Sequence, residues 1–93
     1  MKVWVVPVVL PDPKKDPATA EAAKQFISKM SGFIGFSAIP DSKNTGIIYE
    51  SLETARSAKW HFDEFSETTG AIIEGTLSKD GKGLVLHRVL KGV

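Results

Sequence analysis

Residues 2–10 are apolar on both alternating sets, with Val3, Val5 and Val9 on one and Trp4, Val6, Val8 and Leu10 on the other. A strand patterned this way expects cover on both of its faces. Pro7 has no amide donor, so a local irregularity is expected at that position. After the turn-rich residues 11–16, Asp16-Pro17 joins a helix N-cap to a proline at the first helical position. Ala20, Ala23, Ile27 and Met30, with Phe26 beside them, then repeat at helical spacing, and Gly32 is expected as the C′ residue of a helix over 17–31.

Residues 33–39 read as a strand, and Pro40-Asp41-Ser42-Lys43-Asn44 with Gly46 turns the chain back into a second strand over 47–52. From 53 to 69 a second helix carries Ala55, Ala58, Phe62 and Phe65 on one stripe, with Gly70 closing it. Residues 71–77 and 84–90 are two more strands, joined by a loop in which Asp80-Gly81 signals a tight turn. The order β-α-β-β-α-β-β predicts one α+β domain over residues 1–93, a ferredoxin-like sandwich. Its antiparallel sheet carries both helices on one face and an extra C-terminal strand. The helix-free face would leave half of the first strand's valines bare. Self-association into a dimer or trimer is therefore expected.

Composition narrows the function more than the fold. At 93 residues, 42% hydrophobic and 25% charged, the chain has enough apolar content for one core. Twelve Lys and Arg against eleven Asp and Glu leave a net charge of +1, so neither nucleic acid nor a membrane is an expected partner. The absence of cysteine removes disulfides, thiolate metal sites and thiol nucleophiles, and the cytoplasm is the expected location. The N-terminal apolar run is too short to span a bilayer and meets Pro11-Asp12-Pro13 without a small-residue cleavage site, so it reads as a strand.

His61 and His87 show no metal-ligand spacing, and no metal or cofactor is predicted. His61 is expected in solvent and His87 on a sheet face. No nucleophile elbow, phosphate loop or dinucleotide fingerprint occurs. In Gly32-Phe33-Ile34-Gly35-Phe36 the two aromatics are expected to pack in the core. Trp60 falls about 180° from the apolar stripe of its helix, among Glu53, Arg56, Glu64 and Glu67. It either lies on its own helix against Arg56 as a cation–π pair or awaits a partner. Glu50 and Glu74 alternate with apolar neighbours, and a buried carboxylate there would suit acid–base work.

Gly32-Phe33-Ile34-Gly35-Phe36, Pro40-Asp41, Tyr49-Glu50-Ser51-Leu52-Glu53-Thr54-Ala55 and His61 together resemble the antibiotic-biosynthesis-monooxygenase-like group of dimeric α+β barrels. That resemblance covers about a third of the chain and implies two sheets packed face to face. The group's catalytic members use varied polar residues between sheet and helices, and no such set carries over to this chain. The element order with a final hairpin is also similar to trimeric PII-like proteins and the phage SAM-cleaving lyases. These bind nucleotide or SAM between subunits with a long loop between the second and third strands. The loop here is short, near residues 40–46, and lacks their catalytic Glu.

The expected function is a small oligomeric domain binding a small ligand at a sheet/helix or inter-subunit cleft lined by Trp4, Phe36, Tyr49 and Ile73. The alternative is a small cofactor-free enzyme, oxygenase-like or SAM lyase-like, moving protons with Glu50, Glu74 and His87. A third possibility is a protein-binding inhibitor acting through Trp60 and Arg56.

Overall fold

The computed structural model describes residues 1–39, 42–65 and 70–91, with the side chain of Phe65 excepted. Its elements run β1 (Lys2–Val8), α1 (Pro17–Ser28), β2 (Phe33–Ala38), β3 (Thr45–Tyr49), α2 (Leu52–Phe65), β4 (Ile72–Leu77) and β5 (Leu84–Leu90). The strands form one sheet in the order β2-β3-β1-β4-β5, with every neighbouring pair antiparallel. This is the expected α+β ferredoxin-like arrangement, widened by β5 beside β4. Ile27 of α1 and Ala55 and Ala58 of α2 pack in one cluster with Val6, Val8, Ile47, Tyr49 and Ile72, so both helices cover the same face.

The helix ends follow from their caps. Asp16 accepts the Thr19 amide at 3.1 Å and the Thr19 hydroxyl at 2.7 Å, and these bonds hold its carboxyl below the ordinary range. α1 stops at Ser28, short of the expected residue 31, and the amides of Lys29 and Met30 close the last turn on Phe26 and Ile27. Gly32 is accordingly not a C′ residue. Its φ of +77° serves the turn in which Phe33 N–H bonds the Met30 carbonyl at 3.3 Å. α2 starts one residue earlier than expected because Ser51 caps it, its Oγ accepting the Thr54 amide at 3.1 Å. The expected continuation of α2 through 66–69, and Pro40-Asp41 of the hairpin loop, lie outside the described residues.

Pro7 sits in the central strand without a bulge: the β1–β3 register runs unbroken from Trp4 opposite Tyr49 to Val8 opposite Thr45. The irregularity falls on the other side, where the β1–β4 ladder ends at Val5 opposite Ile73. A strand residue points its N–H and C=O to the same side. Pro7 accepts a bond from the Gly70 amide at 3.0 Å on the β4 side, so the missing donor also faces that gap.

Two bulges reset the alternation in the edge strands. Ile34 is the extra residue between Phe33, opposite Tyr49, and Gly35, opposite Ile48. His87 is the extra residue between Leu86, opposite Gly75, and Arg88, opposite Glu74. The first places both Phe33 and Phe36 on the helix-bearing face, edge to face with ring centroids 5.1 Å apart. On the helix-free face Val3, Val5, Ile48 and Leu77 form a second cluster, against which Ile34, Ile73, Leu84 and Leu86 pack. Val3 and Val5 are 0% exposed. The side chains of the outer strands thus enclose the central valines, and the cover that their pattern demands comes from the subunit's own sheet. No helix among the described residues is long and apolar enough to cross a membrane.

Candidate functional site

Where β1 ends at Val8, the chain continues as Val9, Leu10 and Pro11 toward the two helices. These residues, with Ala23, Phe26 and Ile27 of α1 and His61 and Phe62 of α2, line an open groove of about 560 Å³. Alanine at position 23 leaves the room. Phe26, one residue before the buried Ile27, is displaced from the core and remains 56% exposed, and Val9 is 48% exposed. The Phe26 ring stacks on His61 with centroids 5.9 Å apart and planes 19° from parallel. His61 is half-buried in this groove, contrary to the expected solvated position, because α2 turns that side of the helix toward α1. Among the described residues, the imidazole is the one polar side chain in a lining otherwise made of hydrocarbon and aromatic carbon.

The four residues expected to line a cleft do not share one. Trp4, Phe36 and Tyr49 lie on the helix-bearing face, whereas alternation along β4 carries Ile73 through to the opposite face. Tyr49 is 0% exposed, and its hydroxyl has Met30 Sδ at 3.6 Å as its partner. Burial pushes its phenol well above the ordinary value.

The proton-transfer candidates are likewise dispersed. Glu50 is exposed just past β3, its amide donating to the Gly32 carbonyl at 2.8 Å. Glu74 lies on β4, with β1 between it and β3, and its carboxylate is bracketed by Lys2 Nζ at 3.4 Å and Arg88 Nη2 at 3.5 Å. Lys2 also stands 5.6 Å from the centre of a Trp4 ring. His87 is exposed, with Nε2 2.7 Å from Thr76 Oγ1. Glu74 and His87 are therefore near neighbours across the β4–β5 pair, and Glu50 does not join them.

On the outer side of α2, a shallow concavity of about 760 Å³ is lined by Leu52, Glu53, Arg56, Ser57, Lys59, Trp60 and Asp63. Trp60 is 64% exposed. The cation–π contact among the described residues is Lys2 over Trp4, so Arg56 does not cover the Trp60 indole. Among the described residues no group of three or more His, Cys, Asp or Glu is placed to hold a metal ion.

The groove at the end of β1 was not legible as a site because Val9-Leu10-Pro11 reads as a strand end and Phe26 as core. The available signal was the small Ala23 one turn before a phenylalanine lying off the centre of its stripe. No family model, curated protein or solved structure matches the chain.

Proposed function

We propose that this chain is a small-ligand-binding domain of the cytoplasm, whose site is the groove between the end of β1 and the two helices. The observation that carries this is the groove itself, about 560 Å³ of open, almost wholly apolar space ending on the stacked Phe26–His61 pair. Binding pockets for small molecules have this size and composition, with a few polar groups fixing orientation. The ligand class it fits is a flat, largely apolar molecule with one hydrogen-bonding substituent. Its ring would lie over Phe26 and its polar end near His61.

Amide chemical-shift mapping with 1-naphthol as probe tests this. Saturable shifts confined to residues 8–10, 23–27 and 61–62 are expected, and Ala23→Phe, which fills the groove, should abolish them while leaving the circular dichroism unchanged. Shifts centred on another surface, or binding that survives Ala23→Phe, would overturn the assignment.

A further inference from the structure

Trp60 is the midpoint of a symmetric set on the outer face of α2. Arg56 lies four residues before it and Glu64 four after, Ser57 three before and Asp63 three after, and all five are exposed. Residues three and four apart share a helix face, so α2 presents an indole with a cation on one side and an anion on the other. Asp63 is already matched by Lys59 at 2.8 Å. Among the described residues neither Arg56 nor Glu64 has a salt bridge. The two cannot meet on one helix, where eight residues separate them by about 12 Å along the axis.

A two-fold axis through Trp60, perpendicular to α2, closes that distance. It lays a second α2 antiparallel on the first, sets indole against indole, and puts Arg56 of each copy opposite Glu64 of the other. Ser57 falls opposite Asp63. We propose that this face of α2 is where two copies of the chain associate. A parallel pairing would put Arg56 on Arg56, and a strongly acidic or basic partner would meet one matching and one opposing charge. Long helical side chains lean toward the N-terminal turn, which brings each indole over the small Ser57 and the concavity beside it. Trp and Arg are the residue types that most often anchor interfaces. One helix per copy makes a small contact, below roughly 1,200 Å² in total, which places the association in the weak, reversible class.

Sedimentation velocity from about 1 to 200 µM, spanning the affinities of weak complexes, tests the proposal. A monomer–dimer equilibrium is expected for the wild-type chain. Trp60→Ala and Arg56→Glu should each weaken it at least about tenfold, and Arg56→Glu combined with Glu64→Arg should restore it to within about threefold. These positions are exposed, so far-ultraviolet circular dichroism should not change. A wild-type chain that stays monomeric throughout the range would overturn the proposal. So would a dimer that survives Trp60→Ala, a doubly reversed variant that stays monomeric, or a dimer lost on Val89→Glu but not on Arg56→Glu.

Discussion

The side chain of Thr54 stands where a Cβ on Gly32 would have to go: its Cβ and Cγ2 lie 2.6 and 2.8 Å from that position, and its Oγ1 is closer still. Gly32 also holds a φ of +77°, and its carbonyl accepts the Glu50 amide. The turn before β2 and the first turn of α2 are thereby locked together. Gly81 has nearly the same φ, +74°, with nothing within 4 Å of its missing Cβ. Gly81→Ala should therefore lose only the roughly 1–2 kcal/mol of a left-handed alanine. Gly32→Ala should lose about 2–4 kcal/mol, because overpacking against Thr54 adds to the backbone strain. Urea unfolding midpoints of the two variants measure the difference directly.

Val5 and Val6 point to opposite faces of β1, and each is 0% exposed. If the helix-free face were bare until a partner covered it, Val5→Glu would give a folded monomer and only Val6→Glu would unfold. Since the sheet encloses Val5 within the subunit, both variants should unfold. A carboxylate buried without a partner costs several kcal/mol, comparable with the 5–15 kcal/mol that holds a typical domain together. Circular dichroism and size-exclusion chromatography of the pair check this, and a folded Val5→Glu monomer would contradict it.

Tyr49 should make the protein sensitive to alkali. Its folded-state pKa is raised by burial, so its contribution is fully present below the unfolded value near 10 and is lost as pH rises toward the folded value. Tyr49→Phe should flatten the stability–pH curve above about pH 10. At neutral pH the change should stay within about 1 kcal/mol, because the hydroxyl gives up only a contact to Met30 sulfur.

Asp16 acts in the opposite direction. Its folded-state pKa is held below the ordinary 3.8 by the bonds from Thr19. Stability from this cap is present above that ordinary value and disappears as pH falls through the lower folded one. Asp16→Asn keeps an N-cap acceptor without the titration, so it should reduce the acid-side slope of stability below about pH 4. Thermal melts across that range give the comparison.

Much of the fold was legible because local chemistry and global pattern agree. Asp16-Pro17 supplies the cap and first residue of α1, Asp80-Gly81 marks the β4–β5 turn, and Ala55 and Ala58 mark the face of α2 that meets the sheet. Alternation misleads where an extra residue enters. Phe33 and Phe36, three apart, should face opposite ways, and only the bulge at Ile34 brings them together. The residues expected to share a cleft are divided for a related reason. Trp4, Tyr49 and Ile73 are close in the sheet, yet the sheet itself separates Ile73 from the other two. The groove is made by three segments, and no single one of them carries its signature.

Pro7 leaves the last stretch of β1 with a full ladder to β3 on one side and, among the described residues, a single bond, from Gly70, on the other. Amide exchange should divide the strand there, slow at Val3 and Val5 and faster from Val8 onward, where the backbone is tied along one side only. Val8 through Pro11 form a wall of the groove. A proline in the middle of a sheet thus gives that wall compliance, while the enclosed valines on the other face hold still.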